Sequence, residues 1–235
     1  MNMQGTISKD RVQQYGEVFT PDSIVNDMLD LADAEIKKLD SVENIKAYID
    51  TTYLEPSCGN GNFLIRILDR KLEAVQMLDE SEQEIWLLHA LTSIYGVDIQ
   101  LDNIQNSKDR MLELIETGTL NVLDLDYRET AKWHFKPITL SKQLLKIVRS
   151  ILDTNIQHGN CLKGNKCDRL GETQDSMIFI EYIWDGNKVR CVGHKLEDII
   201  NNDDTNRLDE IGFIDYTMLG ETNLNYTDIL DGYDF

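Results

Sequence analysis

Basic residues are scarce in this 235-residue chain: 23 Lys and Arg stand against 42 Asp and Glu, a formal net charge of −19. Nucleic-acid binding draws much of its affinity from phosphate neutralisation, so a chain of this sign is poorly suited to holding DNA by itself. The deficit is steepest from Asn165 to Phe235, where 6 basic residues face 16 acidic ones. Such a stretch is ordinarily a solvated surface; a face for a protein partner, or one that imitates DNA, is the sharper reading. Long apolar runs are missing too. None reaches the roughly 18 residues that a bilayer-spanning helix needs, and the N-terminus lacks a signal-peptide core, so neither membrane insertion nor secretion is expected. The four cysteines (Cys58, Cys161, Cys167, Cys191) have no disulfide-framework spacing, which fits reduced thiols in a cytoplasmic protein. Of the three prolines, Pro21, Pro56 and Pro137, no two are adjacent. There is no phosphate loop of the GxxxxGK type, no helical HExxH pair and no serine–histidine–acid set.

What is present reads as a globular chain, 41% hydrophobic and 28% charged, without repeats or low-complexity tracts. Residues 1–19 form an irregular arm ending in Val18-Phe19. Thr20 offers a helix-capping oxygen and Pro21 falls where a first helical residue belongs. Ile24, Val25, Met28, Leu29, Ala32 and Ile36 follow at helical spacing. A short strand near Thr52–Glu55 leads into a turn, then helices over about 63–78 and 82–92, a strand at 94–98 and a helix from Leu101. That alternation is the signature of a parallel sheet with crossover helices. The segment 119–137 has no secure assignment. A helix at about 139–152 and a strand at 155–158 follow. After Gly164 the character changes: MIFIEYI and KVRCVGH flank Trp184-Asp185-Gly186-Asn187, whose Asp-Gly pair suits a hairpin turn. A short helix near 195–201 precedes an acidic, Asn-rich tail whose few apolar positions suggest partial disorder or ordering by a partner.

The chemistry concentrates in Leu54-Glu55-Pro56-Ser57-Cys58-Gly59-Asn60-Gly61. A strand that ends in two glycines and turns straight into a helix lets the backbone pass close to a ligand. Such turns also occur for structural reasons alone. Glu55 stands at the strand end, where an ammonium group would find an acceptor. Asp98 ends the next strand, where an acidic side chain can accept both hydroxyls of a ribose, though an Asp there is commonly a helix cap. The two features support each other.

Four segments in order, Gly16-Glu17-Val18-Phe19-Thr20-Pro21, LEPSCGNG, VDI and HGNCL, resemble the cofactor motifs of the adenine-N6 DNA methyltransferases. The order resembles that of the type I and type IIG modification enzymes of restriction-modification systems, and the likeness covers about residues 10–164. It implies S-adenosylmethionine as cofactor. Phe19, Thr20 and Pro21 would close over its methionine end, and Glu55, Pro56, Cys58, Gly59 and Gly61 would line that side. Asp98 would bind the ribose, Ile99 would pack on the adenine, and Asn160 and Cys161 would meet the adenine amino edge. Many relatives carry Asp where this chain has Asn160; an amide oxygen also accepts an amino hydrogen.

The family's catalytic loop, Asn/Asp-Pro-Pro-Tyr/Phe, cannot be written with three isolated prolines. Those enzymes act on a flipped base held by that loop. Trp184 and Asp185 supply a stacking ring and an acceptor, but a hairpin turn with a buried Trp is the plainer reading. His158, Cys161, Cys167, Cys191 and His194 are zinc-ligand types at uneven spacing, and no metal is expected. The expected fold is therefore α/β, a Rossmann-like S-adenosylmethionine-dependent methyltransferase core at 51–164. An N-terminal helical arm (1–50) precedes it, and a small acidic C-terminal β-hairpin appendage (165–235) follows. DNA would be reached through a protein partner or oligomer. The alternatives are a non-catalytic regulator or inhibitor of such a partner, and an enzyme that uses S-adenosylmethionine on another substrate.

Overall fold

The computed structural model describes residues 19–118, 136–201 and 210–215. The arm over 1–18, the segment 119–135, residues 202–209 and the tail from 216 lie outside the described residues.

The N-terminal helix, α1 (Asp22–Ile36), turns Val25 and Leu29 into the core. Pro21 occupies its capping position with extended backbone, φ −57° and ψ 146°, and no side chain caps it. The expectation that Thr20 caps and Pro21 opens the helix is therefore displaced by one residue. A ψ of this value ends the extended arm at Pro21, and the Thr20 carbonyl instead accepts the Asn62 amide at 2.9 Å. A second helix, α2 (Val42–Asp50), is capped by Ser41, whose hydroxyl accepts from Asn44 N. It buries Ile45, Tyr48 and Ile49 at helical spacing.

Strand β1 (Tyr53–Glu55), helix α3 (Asn62–Val75), helix α4 (Gln83–Thr92), strand β2 (Ile94–Asp98), helix α5 (Leu101–Thr117), helix α6 (Lys142–Asn155) and strand β3 (Ile156–Asn160) follow. The three strands pair in parallel, β2 between β1 and β3, with Glu55 opposite Gly96 and Asp98 opposite His158. Every residue of β2 is buried, as expected of a central parallel strand. Gly96 is required by close packing: a Cβ there would lie 2.7 Å from Leu64 Cδ1.

Two polar strands, β4 (Asn165–Asp168) and β5 (Gly171–Ser176), then extend the sheet antiparallel, giving the order β1-β2-β3-β4-β5. The molecule is thus mixed α/β, with a five-stranded mixed sheet. The hairpin forms as β6 (Ile178–Asp185) and β7 (Lys188–Lys195), joined through Gly186, φ +61°, and Asn187. Helix α7 (Leu196–Asn201) follows, and strand β8 (Glu210–Asp215) pairs with β7.

This second sheet is built into the core. Ile180, Val189 and Cys191 share one apolar cluster with Val25, Leu64, Leu88 and Ile151. The Tyr95 hydroxyl donates to Ile180 O at 2.5 Å, Gln157 Nε2 to Ile178 O at 2.7 Å, and Trp184 Nε1 to Thr92 Oγ1 at 3.2 Å. Trp184 stacks on His89 (centroids 4.0 Å apart), which stacks in turn on Trp86 (4.1 Å). Thr92 and His89 lie at the amino end of β2, so Trp184 is at the opposite end of the strand from Asp98. It cannot stack a base there.

Ion pairs fasten α1 to α3. Arg66 forks onto both oxygens of Asp22, and Arg70 reaches Asp33 Oδ2 at 2.6 Å and Asp30 Oδ1 at 2.7 Å. Arg66 and Asp22 are both buried, and removing one member of a buried pair typically costs about 3–5 kcal/mol. Lys71 of α3 is wholly buried; its ammonium donates to Ile49 O at 2.6 Å, Thr51 O at 2.5 Å and Ser93 Oγ. One side chain thereby joins the end of α2 to the entrances of β1 and β2.

Burial lowers the Lys71 pKa from 10.5 to about 7, against the pull of Asp50 and Asp33. Between those values the unfolded chain holds a proton that the folded one does not, so stability rises with pH across that window. Above about pH 9 the effect is opposed, because burial raises the pKa of Cys58, Tyr48, Tyr53 and Tyr95 and their ionisation favours unfolding. Urea unfolding of the wild type is expected to show stability climbing from pH 7 to 9. Lys71→Met is expected to lose that slope.

Candidate functional site

The carboxyl ends of β1, β2 and β3 lie side by side, and the site is built there. Glu55 ends β1, and the chain turns through Pro56–Gly61 into α3. Each step of that turn is held. Cys58 N donates to Val97 O at 2.8 Å, Gly61 N to Cys58 O at 2.8 Å, and Gly59 N to Asp98 Oδ2 at 2.8 Å. From α5, the Ser107 hydroxyl donates to Gly59 O at 3.1 Å, and Arg110 donates to Asn60 O at 2.6 Å and to Asn62 Oδ1 at 3.0 Å. Burial lowers the Arg110 pKa to about 10, which leaves it charged at neutral pH.

Both glycines sit in the left-handed region, Gly59 at φ +53° and Gly61 at φ +87°. Space forbids a side chain as well. A Cβ at Gly59 would lie 3.1 Å from the Phe19 ring, and one at Gly61 would lie 2.8 Å from Ser107 Oγ. Phe19 therefore covers Gly59, where the arm was expected to close.

Asp98, 7% exposed, accepts from Gly59 N through Oδ2, and through Oδ1 from Gln100 N at 2.8 Å and Asn103 Nδ2 at 3.2 Å. Asp98 thereby holds the glycine turn and the entry to α5 together. A carboxylate offers about four acceptor positions, so one more hydroxyl can be taken without displacing a bond. Glu55 has room for more. It is half-buried, accepts from Ser57 N at 3.3 Å, and burial raises its pKa. Cys58 is buried, and that burial, reinforced by the Asp98 charge, raises its pKa, so it is a packed thiol.

Ile99 is half-exposed beside Asp98, and its carbonyl accepts from His158 Nε2 at 3.1 Å. A carbonyl only accepts, so Nε2 is the donor in this bond. Asn160 ends β3; its Oδ1 accepts from Leu162 N at 3.1 Å and its Nδ2 donates to Glu172 Oε1 at 2.7 Å. Burial and the Glu55 charge raise the Cys161 pKa, which puts that thiol within the field of the β1 end. Pro56 is exposed on the outer side of the turn. Glu55, Cys58, Gly59, Gly61, Asp98, Ile99, Asn160 and Cys161 thus lie along the carboxyl edge of β1, β2 and β3, where Phe19 packs against Gly59 and Thr20 is bonded to Asn62.

Asn103, Ser107, Arg110, His158 and Glu172 also belong to this edge and were not read as site residues from the sequence. Ser107 and Arg110 recur on the α5 face that meets the turn, but nothing in their spacing marks them without the fold. Among the described residues no group of three or more metal-binding side chains is brought together. No helix among them is long and apolar enough to cross a membrane. Compared with known proteins, the chain matches no protein-family model, no curated protein and no solved structure.

Gly61→Ala carries both a left-handed backbone penalty and a collision with Ser107. It is expected to destabilise the fold by about 2–4 kcal/mol in urea unfolding. In a Ser107→Gly background the additional loss should fall towards the backbone penalty of about 1–2 kcal/mol, as a double-mutant cycle would read.

Proposed function

We propose that the chain is the S-adenosylmethionine-binding part of an adenine-N6 DNA methyltransferase, completed by a partner chain. The observation that carries this reading is the Gly59–Asp98 corner. A glycine turn at the end of one parallel strand is bonded to an acidic side chain at the end of the next, with Phe19 lying over the glycine. The parallel strands β1 to β3 and their crossover helices support a Rossmann-like core.

The donor set fits the cofactor. Glu55 offers a carboxylate for an ammonium group, and Asp98 has one acceptor position open to a ribose hydroxyl. Ile99 presents apolar surface for a purine ring, and His158 and Asn160 present polar groups beyond it. Bound there, S-adenosylmethionine would supply an electrophilic methyl group. The chain's own part is to hold the ligand across the strand ends and to keep the turn rigid through Ser107 and Arg110, so little order need be gained on binding.

Two features support the need for a partner. No adjacent prolines are present to form the family's base-holding loop, and the net charge of −19 opposes DNA. Among the described residues β1 pairs only with β2, so the sheet ends at the strand that leads into the glycine turn. The same lack of paired prolines favours a second reading, a cofactor-binding regulator that does not itself transfer methyl groups.

Titration calorimetry with S-adenosylmethionine is expected to show one site per chain, weakened about tenfold or more in Asp98→Ala. Absence of heat with the wild type at millimolar ligand would remove the cofactor reading. Tritiated methyl transfer to DNA is expected to be absent for the isolated chain. Its appearance on adding a host partner distinguishes the methyltransferase from the regulator.

A further inference from the structure

We infer that Glu172, carried on the polar ribbon β4–β5, is a specificity residue that accepts the exocyclic amine of the cofactor's adenine. This rests on the reading of the chain as S-adenosylmethionine-binding. It assigns the adenine edge to a residue outside all four cofactor-like segments.

The argument begins with register. Asp98 is opposite His158, and strand alternation puts Asp98, His158 and Asn160 on one face of the sheet. The opposite face is closed by the second sheet: Gln157 is bonded to Ile178 O, and a Cβ at Gly159 would lie 2.4 Å from Met177 Sδ. A ligand anchored at Gly59 and Asp98 therefore extends its far end along the row Asp98, His158, Asn160.

At the end of that row Asn160 is already committed. Its Oδ1 holds the Leu162 amide, and its backbone carbonyl accepts from Lys163 N at 3.1 Å and Gly164 N at 2.9 Å, which fixes the turn out of β3. Its Nδ2 points a hydrogen at Glu172. Glu172 reaches across β4 to receive it and receives Lys163 Nζ on its other oxygen at 2.6 Å. Those two bonds hold the carboxylate in one orientation, and Lys163 keeps it ionised. Two acceptor positions remain open on it.

As a surface ion pair alone, Lys163–Glu172 would contribute little. The ribbon that carries it buries almost none of its own side chains, so packing does not explain the arrangement either. A primary amine on a purine requires a hydrogen-bond acceptor, and Glu172 is the carboxylate that the structure sets beside Asn160.

The test compares S-adenosylhomocysteine with S-inosylhomocysteine, in which an oxygen acceptor replaces the amine, by titration calorimetry on the full chain. The wild type is expected to prefer the adenine compound about tenfold or more, the worth of one hydrogen bond to a charged acceptor. Glu172→Leu is expected to bring the two affinities within about twofold of each other, and Glu172→Gln, which keeps an acceptor oxygen, to retain part of the preference. Thermal unfolding should be unchanged in both variants, since neither side-chain bond is buried. A wild-type preference that survives in Glu172→Leu, or a wild type that binds both compounds equally, overturns this assignment and leaves the cofactor reading standing. A wild type that binds neither compound overturns both.

Discussion

Asp98 carries three bonds on one carboxylate, and the functional edge depends on them. Gly59 N lies on the turn out of β1, Gln100 N at the entry to α5, and Asn103 within α5. Beside them, the glycine turn is tied to β2 by Cys58 N and Val97 O and to α5 by Ser107 and Arg110. With them, the ends of two parallel strands and the start of a helix move as one piece. The carboxylate is nearly enclosed, so each bond acts where water competes weakly. Ser107 and Arg110 repeat the arrangement about one and two turns beyond Asn103 along α5, which makes that helix the splint of the turn.

The amino end of the sheet is secured by different means. Lys71 gathers three oxygens from α2, β1 and β2, and paired arginines on α3 hold α1 through Asp22 and Asp33. The indole–imidazole–indole stack seats the second sheet against α4. Lys71 and the stacked rings lie away from the strand ends that carry Glu55, Asp98 and Asn160, whereas the Arg66–Asp22 pair adjoins Pro21 and lies within the field of Arg110.

Much of this was legible beforehand. Apolar spacing located α1, α3 to α6 and the strands β1 to β3, and the Asp-Gly signal located the hairpin to within a residue. Helix α2 was overlooked although Ser41 and the Ile45, Tyr48, Ile49 spacing announce it. The ribbon β4–β5 could not be read in the same way: NKCD and GETQDS face solvent on both sides, so no alternation marks them. The seating of Trp184 required the fold, since its partners His89 and Thr92 are remote in sequence. The strand-end positions of Glu55, Asp98 and Asn160 were legible because the motif-like segments fall where the apolar runs end. What spacing could not show is that Asp98 spends most of its capacity on the protein, or that Glu172 is drawn to Asn160 across an intervening strand.

The stacked rings have an optical consequence. Two of the chain's three tryptophans, Trp86 and Trp184, sandwich one imidazole at the end of the sheet far from the glycine turn. Their emission is thus set mainly by how the second sheet sits on α4 and by the charge of His89. The emission of Trp86 and Trp184 is accordingly a gauge of how the two sheets are assembled.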